Sequence, residues 1–578
     1  MRAADRGYGA RSMARRLLSL VALTLALVPA GVAVAQSSSV QEGPQSRLRI
    51  SIPAYDGSLT PYTFESGDAF MTLLYDTLTW RDAHGIPKPW LARSIRRDPT
   101  GLTVDVQLRR GVRWHDGRRL TAGDVAFTYR FMAARRHPRF TPQLRDIAAV
   151  DATGELSVRF RLRRRSLGLE DQPFADVPIL PRHLWEGLPA GRRAPRGLAL
   201  GSGPYRLGSD ERGRGYEFEA NEDYFRGAPT VDRIEVPVIR RQDSTVAALG
   251  SGRLDAAPLT VPPGTTQPRI SFTRFSGEIS YIGTMLLFNT ASAPFDRLVA
   301  RRAVARALDL EQIAGNAAGS AAAPVPADHG MLHPRSRWSR TGVLHRFDRE
   351  AARRAFAEQG IGSFRVAAPR NDPVRRAAAR RVVSALNRAG AAARLVELSP
   401  RQFDRALGRH GAAARYDAAV VGIPALASHD PAFLRALFGD PSTAPLNNGV
   451  YRSAAFDDLA ERAASAGTVR ERRAIVDDQL RLLARELPAV PLLFGGGAVA
   501  YRPTAYSGWV SVRGTGILDK RSFLAGGTGA AAAAPGAPPG DPLDRSGDDD
   551  GFSLVPIIAA IILALLCGVA LRLRRARR

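Results

Sequence analysis

The sequence predicts an α/β fold held outside the cell and followed by one membrane-spanning helix, on three observations. Between residues 364 and 421, strand-like and helix-like stretches take turns. Phe364, Val366 and Ala368 alternate as a strand, 377–389 repeats as a helix, 395–398 reads as a strand, 403–407 as a helix and 416–421 as a strand. That order is the pattern of a doubly wound α/β lobe. Further forward, Leu102, Val104, Val106 and Leu108 alternate strictly with Thr103, Asp105 and Gln107, the period of a half-buried strand. At the far end, residues 552–571 are apolar apart from the mildly polar Ser553 and Cys567.

Length and charge bound the function. A chain of 578 residues exceeds one ordinary domain and can bury a large core. Its formal charge of +27 invites a nucleic-acid reading, but only Lys88 and Lys520 are lysines among the 82 basic residues. The arginines are strewn along the chain rather than gathered in one arm. That distribution speaks for arginine on solvated faces and against nucleic-acid binding. Residues 1–35 read as a secretory signal: Arg11, Arg15 and Arg16, an apolar run from Leu17 to Ala30, then the small-residue site Ala33-Val34-Ala35. Arg15-Arg16 leaves both twin-arginine and Sec export open. No cysteine lies near that site, which excludes lipid attachment there, and the single Cys567 excludes an intrachain disulfide. At ~1.5 Å per residue, 552–571 spans roughly 30 Å, the hydrocarbon thickness. Arg572, Arg574, Arg575, Arg577 and Arg578 follow at once. By the positive-inside rule they put this tail in the cytoplasm and the rest outside. Residues 526–551, rich in Ala, Gly, Pro and Asp, have nothing to bury and read as a tether.

The elements follow in order. Residues 36–46 are a polar linker; Leu48, Ile50 and Ile52 alternate as a first strand. Leu73, Leu74 and Leu78 fall at helical spacing, Arg110-Gly111 and Asp116-Gly117 are turn dipeptides, and Val112 with Trp114 is a short strand. Thr121 with Asp124 is a helix N-cap and first-turn acid. Asp348 opens a helix that ends at Gly360. No H-E-x-x-H, G-x-S-x-G or phosphate-binding glycine loop occurs, and the nine histidines stand apart from one another. The expectation is no catalytic centre, no metal and no cofactor.

Ordered motifs carry a resemblance. They are Tyr75-Asp76, Leu78, Gly85, Pro89, Leu91-Ala92, Leu108-Arg109, Gly111, Trp114-His115-Asp116-Gly117, Leu120-Thr121-Ala122 and Asp124-Val125. Beyond these come Pro178 to Pro181 with His183-Leu184-Trp185, Gly201-Ser202-Gly203-Pro204-Tyr205, Leu287-Phe288-Asn289 and Glu486 to Leu492. So read, residues 47–515 resemble the peptide/nickel class of extracellular solute-binding proteins, family 5. His115 and Asp116 read there as turn residues packing a hairpin, not as catalytic or metal-binding groups.

The resemblance implies a two-lobed, periplasmic-binding-protein-like fold of the Venus-flytrap kind (type II), with an extra subdomain in the first lobe. The first lobe covers 47–285, with the extra subdomain at about 83–195. The second covers 286–494, and 495–525 returns to the first. It also implies a monomer that captures a peptide or similar small solute between hinged lobes and delivers it to an ABC permease. Peptide-binding relatives hold the ligand's ammonium with an acid before an Asp-Pro or Glu-Pro; here that position falls near Ala427, and Asp430 or Glu65 stands as the substitute. Arg370 is either an anion ligand or a solvated loop residue. Glu65, Ser66 and Gly67 follow the first turn, where relatives line the pocket, and Asn289 either touches ligand or satisfies hinge backbone. With the amine anchor missing, a second expectation is an envelope sensor or scaffold that has lost transport.

Overall fold

The computed structural model describes residues 47–525, apart from 56, 62–67, 136, 138, 189–197, 212, 277–279, 316–322, 340–341, 409–415 and 445. The signal, the tether, the apolar run 552–571 and its basic tail lie outside the described residues. No helix among the described residues is long and apolar enough to cross a membrane.

The first lobe is built on a sheet in the order 48–49, 233–237, 215–220, 205–211. Its first pair is parallel, Leu48 opposite Ile234, and the others are antiparallel. A smaller antiparallel sheet pairs 256–260 and 274–275 with 497–501. The chain therefore returns, after the second lobe, to strands it had already laid down. A four-stranded antiparallel sheet, 92–97, 103–108, 157–162 and 147–152, forms the subdomain, with helix 122–134 packed on it. Asp124 accepts from the Thr121 N–H at 2.9 Å and fixes that helix start, as expected.

The second lobe holds six strands in the order 325–326, 489–494, 283–288, 418–423, 364–369, 393–398. The last three are mutually parallel, while 283–288 runs antiparallel to both of its neighbours. The doubly wound expectation holds for the three parallel strands between 364 and 423, while the sheet as a whole is mixed. The reason is topological: 283–288 brings the chain into the lobe and 489–494 takes it out, and an entering and a leaving strand side by side must oppose each other. All six residues of 283–288 are buried. Met285 and Leu287 join one apolar cluster and Leu286 and Phe288 another, so the sheet is covered on both faces.

The ordered motifs hold the first lobe together. His115 Nε2 donates to the Gly203 carbonyl at 3.0 Å, and its Nδ1 accepts from the Gly201 N–H at 3.2 Å. The imidazole is therefore neutral, and burial pushes its pKa down to about 4. Asp116 holds His183 at 2.8 Å. Gly203 is required because a Cβ there would stand 2.2 Å from the Leu73 carbonyl oxygen. Asp76 accepts from Lys520 at 2.8 Å, Trp90 at 2.8 Å, Tyr224 at 2.9 Å and Ser202 at 3.1 Å. That set ties the first helix to the returning segment.

Candidate functional site

Where the two lobes face each other they enclose a cleft of about 410 Å³, within the size range of small-molecule sites. One wall comes from the subdomain, at 137–146 and 164–172. The other comes from the second lobe, at 430–443 and the long helix 469–486. His137 lines the cleft and bonds the Pro61 carbonyl at 2.9 Å, so the turn after the first strand reaches its edge.

Asp430 is the second-lobe residue around which the cleft is organised. It caps the short turn 431–433, accepting from the Ala432 N–H at 3.0 Å. The same oxygen accepts from Arg472 Nη2, and both side chains are nearly sealed, at 1% and 3% exposure. A charge pair this deep holds only because each partner neutralises the other. The Arg472 guanidinium lies 4.8 Å from the Trp338 ring centre. Across the cleft, Gly168 leaves room for this pair: a Cβ on it would stand 2.4 Å from Asp430 Oδ2 and 3.0 Å from Arg472.

Contacts between the lobes close the cleft. Gln172 donates to the Leu426 carbonyl at 3.0 Å. Asp171, at 4% side-chain exposure, pairs with Arg337. Burial pushes the Asp171 carboxyl up to about 6 against the pull of Arg337, and the Asp430 charge adds to the rise. Arg81 donates to the Asp171 carbonyl at 2.9 Å. Nearer the crossing, the Tyr281 ring lies 4.8 Å from His333 and 5.0 Å from His429. Arg164 of the subdomain and Arg435 of the second lobe both pair with Glu461.

The expected site residues divide clearly. Asp430 lines the cleft, and Ala427 sits behind it, wholly buried in the apolar core of the second lobe. Asn289 lies elsewhere: it donates to Ser292 at 2.8 Å and its backbone N–H to the Asp417 carbonyl, holding a turn at the end of strand 283–288. Arg370 is exposed, donates to the Glu397 carbonyl at 3.3 Å and does not line the cleft. Glu65, Ser66 and Gly67 lie outside the described residues. Sequence reasoning missed Arg145, Arg164, Gly168, Arg435 and Arg472. Arg472 had a signal: it falls on the buried stripe of its helix with Ile475, Val476 and Gln479, where a charge demands a partner.

Comparison with known proteins agrees with this architecture. The model of the bacterial extracellular solute-binding proteins, family 5, matches residues 87–444, more than half of the chain. The oligopeptide-binding protein AppA of Bacillus subtilis is 27% identical over 52% of this chain and 59% of its own length. Protein XP55 of Streptomyces lividans is 27% identical over 62% of this chain and 65% of its own. The chain thus spans less than two thirds of either relative. Among solved structures, AppA from Bacillus subtilis in complex with a nonapeptide superposes with a TM-score of 0.67 at 21% identity, covering 80% of this chain and 95% of that one. NikZ from Campylobacter jejuni in complex with Ni(L-His) gives 0.68 at 23%, covering 79% and 94%.

Proposed function

Because the chain belongs to the bacterial extracellular solute-binding proteins of family 5, we propose that it captures a small solute, of the peptide class or similar in size, in the cleft between its lobes and releases it unchanged to an ABC permease. One observation carries the reading: a cleft with walls from both lobes, bridged by Gln172 to Leu426 and Asp171 to Arg337. Closure needs no chemistry. A solute that touches both walls binds the closed form better than the open one and shifts the population by that difference. Moving it from 1:99 to 99:1 takes about 5.5 kcal/mol. The lobes we assign to 47–285 with 495–525 and to 286–494, the subdomain to about 83–195. The apolar run 552–571 and its arginine tail support mooring of this receptor at the outer face of the cell membrane.

Solute panels of peptides, metal chelates and sugars added to the purified full chain test the proposal. A ligand at a hundred times its Kd adds about 2.7 kcal/mol of stability, and a panel that never moves the unfolding temperature would count against capture. A second reading, an envelope sensor or scaffold decoupled from transport, draws support from Asp430, whose charge is already neutralised by Arg472. Deleting the gene separates the two: lost solute uptake speaks for transport, unchanged uptake for the sensor.

A further inference from the structure

Resting on the capture reading, the side chains of the cleft say which charge the solute carries. Four arginines line it, Arg145, Arg164, Arg435 and Arg472. Against them stand Asp146 and Asp430 in the walls, with Glu461 behind Arg164 and Arg435. Arg164 is shared between Asp146, at 2.7 Å, and Glu461, while Arg145 forms no ion pair among the described residues. Among the lining residues the arginines outnumber the carboxylates, while Glu461 and Asp457 stand behind them.

The donors tell the same story. Nε and Nη1 of Arg435, Nε and Nη1 of Arg472, and Nε of Arg164 are buried without an acceptor among the described residues. A buried guanidinium normally spends its N–H groups, and leaving several idle at one cavity is costly. Burial first, then the neighbouring charges of Arg145 and Arg164, push Arg435 down to about 10 against the opposing pull of Asp457 and Asp146. The opposite pole is already engaged: Asp430, where a ligand ammonium would seek its partner, accepts on Oδ1 from both Arg472 and the Ala432 N–H.

We propose that the cleft binds its solute through an oxyanion, a carboxylate or a phosphate, received by Arg435, Arg472 and Arg145, and not through an ammonium on Asp430. The planar forks of the arginines suit either oxyanion, each offering paired N–H donors. Arg145 and Arg164 come from the first lobe and Arg435 and Arg472 from the second, so an anion between them also supplies the contact that favours the closed form.

Calorimetric titration of the purified full chain tests this with three probes: N-acetyl-trialanine, which has a carboxylate and no amine; trialanine amide, which has an amine and no carboxylate; and inorganic phosphate. N-acetyl-trialanine or phosphate is expected to bind and trialanine amide not, and which of the two binds tells a carboxylate solute from a phosphorylated one. Arg435→Gln is expected to weaken the anion by about tenfold or more, the worth of a charged hydrogen bond. Arg145→Gln, which strands no carboxylate, gives the same loss should Arg435→Gln fail to fold. Binding of trialanine amide alone, or anion binding untouched by both substitutions, overturns the oxyanion assignment and leaves capture standing. Silence from all three probes likewise overturns the oxyanion assignment, and capture itself is then decided by the thermal panel of peptides, metal chelates and sugars.

Discussion

Lys520 is one of two lysines in the chain and is wholly buried, between the rings of Trp80 at 4.5 Å and Trp90 at 4.7 Å. Burial pulls its pKa down and the Asp76 carboxylate opposes that pull. Removing one partner strands the other, so Lys520→Met should cost about 3–5 kcal/mol, and adding Asp76→Asn should return part of it. Thermal unfolding midpoints of the single and double variants check this, and a double variant no better than the single would contradict it. Buried histidines make a second residue-scale prediction. His115 and His137 are pushed down to about 4 and His333 to about 3, in each case first by burial. All three are neutral when folded, while in the unfolded chain they titrate near 6.5. Below that pH the unfolded state gains protons the folded state refuses, so this stability is whole above about pH 6.5 and drains away towards pH 4. A midpoint that stays level across that window would contradict the assignment. The sequence made Tyr75-Asp76 and His115-Asp116-Gly117 legible as motifs, and the turn role of His115 as well. Their partners were hidden, since Asp76 and Lys520 stand 444 positions apart.

Among the elements, the turn that carries Gly168 and Gln172 decides whether the lobes meet. A side chain at 168 would strike the Asp430–Arg472 pair. Gly168→Val should therefore wedge the cleft and weaken solute binding by about tenfold, at 1–3 kcal/mol for an overpacked contact, while the unfolding midpoint changes little because the clash is relieved by opening. Equal affinity in both proteins would contradict this. Helix starts were only partly legible. The periodic run suggests 377–389, yet the helix spans 373–388, because Asp372 caps it, accepting from the Arg375 N–H at 2.8 Å, and Pro373 suits the first turn. The helix after Asp348 begins where its cap places it. Strand direction was not legible: apolar alternation gives a strand's faces and not its sense. The antiparallel entry of 283–288 therefore emerged only with the sheet assembled.

For the molecule as a whole, the chain crosses from one lobe to the other and back, and the proposed capture works by moving them. The two-lobed fold was readable from ordered motifs, which record how segments pack against each other. The cleft chemistry was not, because Arg145 and Arg164 on one wall meet Arg435 and Arg472 on the other only in the folded chain. Asn289 and Arg370 illustrate the converse: one holds a turn, the other lies on the surface, and residue type alone distinguishes neither from a ligand contact. Hydrogen exchange of the full chain, with and without a solute that raises its unfolding temperature, tests capture between lobes most directly. The account predicts slowed exchange at both 164–173 and 426–436, together with recovery of the solute chemically unchanged. Protection confined to one lobe, or a solute returned as a different molecule, would contradict it.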